Sequence, residues 1–369
     1  MSNAYATKLA EGFSQKLLLE MYDRSLIDSI VNRDYQGEVN GVGSTLNILN
    51  FDRISERNYT GANLAAADDI YENNTQLVID QKKSFYWKEN TIDKWASYIK
   101  EPKSTIMAQK ADERNKNMDA FVLAKYSDVG AGNRVGTDYT TGLASVAATT
   151  GVVTGNGTTF TADMVGRGIK FAGEAQWYRV KTFNGATEIV IEDDKDDTTS
   201  AYTGGAVAET TYVIEAATVL TITTANLLSK VALLKQKLDK AESYGKSSVP
   251  DSDRWLIVPP EFETVLVQAS GVALHVPAVY EDLVKKGFIT MLQGFKVFKS
   301  NRLTGNNEDG FRILAGHSNW MTFAEKLLEV GIEDLIGNFG KAYKDLFVYG
   351  AKVTDSRRHF AAEGYWKFA

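Results

Sequence analysis

Three stretches of the chain repeat their hydrophobic residues at a spacing close to 3.6, which predicts amphipathic helices. They cover residues 13–31, roughly residues 103–126 directly after Pro102, and residues 227–241. Proline suits the first turn of a helix, because the N–H that it lacks has no helical partner there. The apolar positions are Leu17, Leu18, Met21, Tyr22, Leu26 and Ile30, then Met107, Ala111, Met118 and Val122, and last Leu227, Val231, Leu234, Leu238 and Ala241.

Two strand-like runs, residues 46–51 and 77–88, lie between the first and second predicted helices. The connection between them, residues 52–76, is polar and rich in Ala and Asn. Two strands with so long a connection predict an extended hairpin arm. A two-stranded hairpin cannot bury both of its faces alone, so we expect the arm to lie across a neighbouring subunit.

The C-terminal third of the chain predicts short strands separated by turns. Aromatic and β-branched residues cluster at residues 295–298, 311–314, 320–323 and 346–349. Before them, residues 255–258 predict a buried strand that ends at Pro259 and Pro260. Proline cannot donate to a sheet but is tolerated in a first helical turn, so a helix over residues 261–268 should follow.

Residues 130–223 differ in composition from the rest of the chain. They hold 13 of the 30 glycines and many threonines, and no proline occurs between Pro102 and Pro250. Their β-branched and aromatic runs are residues 168–171, 176–180 and 187–191. Asn184-Gly185 is a turn signal between two of these runs. We predict a small β-domain inserted between the second and third helices, folding on its own.

Length and charge limit the classes of protein to which this chain can belong. The 369 residues, 44% of them hydrophobic, can bury a sizeable core and suggest two to three domains. Of the formal net charge of −6, residues 130–223 carry −5, so the rest of the chain is nearly neutral. A nucleic-acid-binding module usually shows a basic patch, and none is visible in the sequence.

Several kinds of reactive site and anchor are missing from the sequence. There is no cysteine, which excludes disulfides and thiolate chemistry. No apolar run approaches the ~18 residues of a membrane helix, and the first residues do not resemble a signal peptide, so we expect assembly in a cytoplasm and no membrane partner.

Motifs for catalysis are equally weak. The histidines His275, His317 and His359 lack the spacing of a metal site. Residues 244–247 (YGKS) resemble the end of a phosphate-binding loop, but Lys240 occupies the place of its first glycine. There is no Gly-x-Ser-x-Gly motif. The acidic run at residues 192–197 lacks the glycine of a calcium loop, so a solvated loop is expected.

Five short motifs occur in the order in which a known family has them. They are residues 77–85 (LVIDQKKSF), 256–262 (LIVPPEF), 294–301 (GFKVFKSN), 314–317 (LAGH) and 349–353 (YGAKV). With the order of predicted elements, they resemble the major capsid proteins of tailed bacteriophages with the Hong Kong 97 fold. The family often has Arg-Pro shortly after the last motif. Here residues 355–358 are DSRR, so we expect the C-terminal tail to pack differently.

The resemblance implies an α+β fold of the Hong Kong 97 type with an inserted small β-domain. It divides the chain into an N-terminal arm (1–44), an extended hairpin arm or E-loop (45–95), the spine helix of the peripheral domain (96–129), the inserted β-domain (130–223), the axial domain and return strands (224–345), and a C-terminal strand and tail (346–369). The implied function is a coat protein without catalysis or cofactor. It would form hexamers and pentamers of an icosahedral head, with the insertion projecting outward.

The resemblance also implies partners. These are further copies of the chain, a separate scaffolding protein, a portal protein, and packaged double-stranded DNA held by weak non-specific contact. A separate scaffold is expected because the body begins almost at Met1, where other members carry a scaffolding extension. The protein would assemble in the host bacterial cytoplasm and reside in the virion.

The arm supplies the predicted contacts between subunits. The candidates are Leu77, Ile79, Lys82, Lys83, Phe85, Trp87, Arg53, Arg57 and Tyr59. Some relatives join subunits by an isopeptide bond from an arm lysine, but residues 52–81 contain no lysine. Arginine stays protonated and cannot act as an amine nucleophile. We therefore predict a shell without covalent cross-links.

Two other functions remain open at this point. An encapsulin, the shell protein of a cellular nanocompartment, would share the body of the fold but would not be expected to carry the insertion. A soluble hydrolase or sugar-binding protein built around the insertion would behave as a small oligomer.

Overall fold

The structure is a computed structural model that describes residues 25–35, 45–51, 72–91, 102–193, 201–240, 249–273, 291–337 and 339–369. Its helices are α1 (Ile27–Ile30), α2 (Pro102–Leu123), α3 (Leu227–Asp239) and α4 (Pro260–Ala273). The chain divides into two compact units. One contains the described parts of residues 33–112 and 322–352, and the other contains residues 25–32, 353–369 and the described parts of 113–321.

The strands of the first half of the chain are β1 (Thr45–Phe51), β2 (Glu72–Val78), β3 (Gln81–Asn90), β4 (Arg134–Val135), β5 (Thr137–Tyr139), β6 (Leu143–Val146), β7 (Val152–Asn156), β8 (Gly168–Phe171), β9 (Tyr178–Gly185) and β10 (Glu188–Glu192). Those of the second half are β11 (Val207–Thr210), β12 (Tyr212–Thr218), β13 (Leu220–Ile222), β14 (Arg254–Val258), β15 (Met291–Leu292), β16 (Phe295–Lys299), β17 (Gly305–Asn306), β18 (Gly310–His317), β19 (Thr322–Asp334), β20 (Gly340–Lys352) and β21 (Ala361–Phe368).

The first unit contains the predicted hairpin. β1 and β2 are antiparallel, with Thr45 opposite Val78. A second sheet has the order β19-β20-β3 and is antiparallel throughout. The strand predicted over residues 77–88 is therefore wrong in its extent, because the chain changes partners: β2 pairs with β1, and β3 pairs with β20 after a break at residues 79–80.

The second unit contains a mixed sheet of order β13-β21-β18-β14-β16-β15, with β17 paired to β18 and β4 to β21. Three fully buried tryptophans, Trp255, Trp320 and Trp366, fill its core. Helix α3 buries Leu227, Val231, Leu234 and Leu238, as the apolar spacing predicted. The proline pair also acts as predicted, since β14 ends at Val258 and α4 begins at Pro260.

The same unit contains a second sheet, of order β11-β6-β7-β10-β9-β8-β12-β5, built from residues 137–218. Its own buried core includes six aromatic residues: Tyr139, Phe160, Phe171, Tyr178, Tyr202 and Tyr212. β4 and β13, at the two ends of this segment, instead pair with β21. Residues 130–223 thus contribute strands to both sheets, and their independence as a domain stays a prediction.

Three local predictions need correction or have no described counterpart. The β9–β10 turn lies at Ala186-Thr187 and not at Asn184-Gly185, because Gly185 still pairs with Glu188. Trp320 does not lie in a strand: it ends a 3-10 turn, and its indole N–H donates to Ile30 O at 3.0 Å. Most of the helix predicted over residues 13–31 lies outside the described residues.

Candidate subunit-contact surface

The base of the hairpin arm packs on the three-stranded sheet of its own unit. The buried cluster there consists of Leu46, Ile48, Leu77, Ile79, Ala324 and Val348. Leu77 and Ile79 are only 0% and 1% exposed. Their predicted role in subunit contacts stays a prediction. Within the subunit, the two buried side chains hold the base of the arm against the three-stranded sheet.

A glycine of β20 allows the arm to approach the sheet. A Cβ atom placed on Gly350 would lie 2.5 Å from Val78 O and 3.1 Å from Ile79 Cα. Real Cβ atoms do not come so close to backbone atoms, so any side chain at Gly350 would push the arm away. The absence of a side chain here positions the end of β2.

Two predicted contact residues of β3, Phe85 and Trp87, are half-buried inside the unit. The Phe85 N–H donates to a carboxylate oxygen of Asp345 at 3.1 Å. Lys110 of α2 forms an ion pair with the same carboxylate, and its ammonium lies 5.3 Å from the centre of the Phe85 ring. Trp87 stacks on Tyr343 with ring centroids 4.5 Å apart and an interplanar angle of 16°. This face of β3 is therefore largely closed by the subunit itself.

The two predicted lysines of β3 remain exposed. Lys82 is opposite Val348 and Lys83 is opposite Phe347 on β20, so the two side chains lie on opposite faces of the sheet. Their contact with a neighbour stays a prediction. The other three candidates, Arg53, Arg57 and Tyr59, lie outside the described residues.

The sequence analysis missed an exposed apolar strip on β19. Leu327, Val330 and Ile332 are 46%, 65% and 57% exposed, and Ile336 and Phe339 beyond the strand end are exposed as well. A cluster of exposed large apolar side chains on one element is typical of an interaction surface. The available signal was the run of apolar residues at 327, 328, 330 and 332, which lies past the strand predicted at 320–323.

A bulge in β19 sets which side chains of this strip face outward. Leu327 is opposite Phe347 and Glu329 is opposite Leu346, so Leu328 is an extra residue between two pairs. Because one extra residue reverses the alternation of side chains, the bulge lets Leu328 pack against the buried cluster while Val330 shares the face of Leu327.

A buried carboxylate, Glu363 of β21, lies among three arginines in the second unit. Arg134 donates to Glu363 at 2.6 Å, Arg312 donates at 3.0 Å, and Arg167 donates at 3.1 Å. Glu363 and Arg312 belong to the mixed sheet, whereas Arg167 directly precedes β8 and also donates to Ala216 O. The cluster therefore joins the two sheets of this unit.

The charges of this cluster compensate one another. Burial alone would raise the pKa of Glu363, but the guanidinium groups of Arg167, Arg134 and Arg312 outweigh burial and hold the pKa below its usual value. Burial lowers the pKa of Arg134 to about 10, so this group is still protonated at neutral pH. A carboxylate held ionised in this way is suited to structural attachment and not to proton transfer.

Within the described residues, no group of three or more His, Asp or Glu side chains could hold a metal ion. Glu192, the first residue of the acidic run, is not solvated as expected, because it is buried and accepts from Arg179 at 2.7 Å. Residues 194–197 of the run lie outside the described residues. His317 Nδ1 accepts from the Asn319 N–H at 3.1 Å, and burial lowers the pKa of this imidazole. No helix in the described part of the chain is long and apolar enough to cross a membrane.

No protein-family model matches the sequence, and no curated protein matches it. Solved structures do match. The capsid structure of the cyanophage P-SCSP1u has a TM-score of 0.59 at 13% identity, covering 98% of this chain and 93% of that chain. The capsid asymmetric unit of cyanophage Pam1 has a TM-score of 0.54 at 12% identity, covering 100% and 99%. This chain has a phage capsid fold.

A third structure supports the same assignment. The asymmetric unit of the mature capsid of bacteriophage PhiM1 has a TM-score of 0.54 at 10% identity, covering 96% of this chain and 91% of that chain. The capsid fold thus extends over nearly the whole sequence, and the α+β class predicted from the sequence is confirmed. The resemblance seen in the five motifs is confirmed at the level of the fold.

Proposed function

We propose that this chain is the major capsid protein of a tailed bacteriophage, a structural subunit without catalytic activity that forms the icosahedral head and resides in the virion. The observation that carries the proposal is the capsid fold, which covers nearly all of this chain and of the matched chains. A fold can host unrelated functions, so the proposal is an analogy that rests on the match of nearly the whole chain to phage capsid structures.

The proposed layout follows the Hong Kong 97 type. Residues 1–44 would be the N-terminal arm, 45–95 the E-loop, 96–129 the spine helix, 130–223 the inserted β-domain, 224–345 the axial domain with return strands, and 346–369 the C-terminal strand and tail. The insertion would project outward, where it does not crowd DNA. The buried aromatic cluster of residues 139–217 supports the proposal that this segment is a domain with a core of its own.

The proposed partners are further copies of the chain in hexamers and pentamers, a separate scaffolding protein, a portal protein and double-stranded DNA. The DNA contact would be weak and non-specific, in keeping with the net charge of −6. Arm residues Lys82, Lys83, Phe85, Trp87, Arg53, Arg57 and Tyr59 remain the proposed contacts with a neighbouring subunit, and Leu77 and Ile79 would hold the arm in place.

Electron microscopy of the expressed protein tests the proposal. The chain should be produced alone and together with the scaffolding protein of its phage, and both preparations examined in negative stain. Shells, tubes or capsomers are expected, with uniform shells of native size only in the presence of the scaffold. A stable monomer in both preparations, or a preparation that turns over a substrate, would overturn the proposal.

A further inference from the structure

The three-stranded sheet of the first unit has two outer strands of opposite charge. In the part of the chain that is described, β19 and β3 each pair with β20 alone. β19 carries four carboxylates and one lysine, a net charge of −3, whereas β3 carries three lysines and one carboxylate, a net charge of +2. The outer strand of a sheet presents backbone N–H and C=O groups with which another chain can pair.

Two charged residues of each outer strand, Lys82 and Lys88 of β3 and Glu329 and Glu333 of β19, lie on the same face of the sheet. Lys88 of β3 is opposite Ala342 of β20, which is itself opposite Glu333 of β19, so the three residues form one row. Side chains of a strand alternate between faces, so Lys82 and Glu329 share the face of this row. All four charged residues are exposed, and Glu333 also pairs with Lys344 of its own subunit. On this face β3 thus carries two lysines, whereas β19 carries two glutamates and one lysine, Lys326.

The other face of β19 offers apolar contact. Leu327, Val330 and Ile332 lie there and are about half exposed or more. A strand placed alongside β19 would cover part of these side chains and remove them from water, which is favourable. Backbone groups, charges and apolar side chains of the same strand therefore all favour a protein partner.

The strand directions show what kind of partner fits. β19 and β3 are both antiparallel to β20, so they run parallel to each other. A second copy in the same orientation would bring its β19 alongside β3 in a parallel pair, with matching faces. Such a contact joins two different surfaces of identical subunits, and a head-to-tail contact of this kind generates rings.

We propose that β19 of one subunit pairs edge to edge with β3 of a second copy of this chain within a capsomer. The proposal rests on the proposed function as a shell subunit and specifies one of its contacts. With Glu333 of one copy beside Lys88 of the next, Glu329 would lie beside Ser84, two positions from Lys82. These charges would set the side on which each neighbour binds.

Charge exchange tests this contact in the full-length chain. The acidic-edge variant carries Glu329→Lys and Glu333→Lys, the basic-edge variant carries Lys82→Glu and Lys88→Glu, and a third variant combines all four changes. Each double variant places like charges across the contact, so its assembled fraction should fall at least about tenfold. The fourfold variant restores opposite charges and should assemble. Co-expression of the two double variants should also restore hexamers, because six subunits of two types can alternate so that opposite charges meet at every contact.

A matched control separates this contact from a general effect of charge. Glu209→Lys with Glu308→Lys makes the same change at two exposed positions outside the three-stranded sheet and should assemble like the wild type. Circular dichroism of each variant establishes that the subunit is folded, and sedimentation velocity measures the assembled fraction. Failure of the folded fourfold variant and of the mixed double variants to assemble would overturn the proposal.

The remaining outcomes distinguish this proposal from the one on which it rests. If the wild-type chain assembles and both double variants assemble equally well, the edge contact is wrong and the shell function stands. If capsomers form normally in the double variants and only scaffold-dependent closure fails, the partner of the edge is the scaffolding protein, which overturns the contact between copies. If the wild type stays a monomer throughout, the proposed function itself fails.

Discussion

Arg167 donates to Glu363 across 3.1 Å. This bond links the sheet of residues 137–218, where Arg167 precedes β8, to the mixed sheet, where Glu363 lies on β21. Both side chains are fully buried, at 0% exposure. Removing one member of a buried ion pair is costly, because the remaining charges stay buried without compensation.

Glu363→Ala should destabilise the protein by about 3–5 kcal/mol, because it leaves buried guanidinium groups without their counterion. Urea unfolding of the soluble subunit measures the effect. The matched control is Asp163→Asn, which removes a second carboxylate partner of Arg312 that is itself 49% exposed. The control should cost less than about 1 kcal/mol. Equal costs for the two variants would contradict a special role for Glu363.

The contribution of Glu363 should depend on pH. Its folded pKa lies below the ordinary 4.5, so the unfolded chain takes up the proton first as the pH falls. The stabilisation is therefore present above pH 4.5 and is lost as the pH falls through the folded pKa. Glu363→Gln should be less stable than the wild type at pH 7, and the difference should shrink below pH 4.5. A difference that stays constant from pH 7 to pH 3 would show that the charge is not responsible.

Gly350→Ala should loosen the base of the arm, since its Cβ would lie 2.5 Å from Val78 O and backbone cannot move aside as a side chain can. We expect a loss of about 1–3 kcal/mol. At Gly331, in the same sheet, a Cβ would meet Lys344 side-chain atoms, the nearest at 2.7 Å. Because that side chain is flexible and partly exposed, Gly331→Ala should stay within about 0.5 kcal/mol of the wild type. Thermal unfolding of both variants distinguishes the two cases.

Trp87 and Tyr343 should be energetically coupled through their stacked rings. A double-mutant cycle with alanine at each position should give about 0.5–1.5 kcal/mol of coupling. Tyr86 is the matched control, because it neighbours Trp87 in sequence but lies on the opposite face and is 66% exposed. The Tyr86–Tyr343 cycle should give a coupling near zero. A larger coupling for Tyr86 than for Trp87 would mean that the stacking described here does not stabilise β3.

Mature particles should dissociate in hot detergent to a single band near the subunit mass of 40.7 kDa. Residues 52–81 contain no lysine, so the arm offers no amine for an isopeptide bond until Lys82 and Lys83 on β3. Electrophoresis of boiled particles is the measurement. A ladder of higher bands would show that one of these lysines, or a lysine elsewhere, forms such a bond.

Local signals in the sequence predicted several elements well. Pro259 and Pro260 marked the end of a buried strand and the start of a helix, because proline's missing N–H has the same effect in any fold. The spacing of Leu227, Val231 and Leu234 identified the buried side of α3, because residues three or four apart lie on the same face of a helix. Features of this kind depend on residues close together in the chain, so a single sequence is sufficient to find them.

The features that join distant segments could not be predicted in this way. Glu363 meets Arg134, Arg167 and Arg312, which lie far away in sequence, and nothing near any of them indicates a partner. The bulge at Leu328 depends on how β19 pairs with β20, so the sequence could not predict which side chains of the apolar strip face outward. Only the pairing of strands reveals which of these residues act together.

The two short strands beside β21 make the segment between them replaceable in principle. Val135 is paired with Gly364, and Leu220 is paired with Trp366, two positions further along the same strand. The segment therefore leaves and rejoins the mixed sheet at points separated by about 7 Å along one strand. A chain whose own termini lie that close together could be grafted between Val135 and Leu220 without altering the pairing of β21, provided that it also supplies the charge of Arg167 beside Glu363. If the segment projects outward as proposed, a foreign domain grafted at this position would be displayed on the particle.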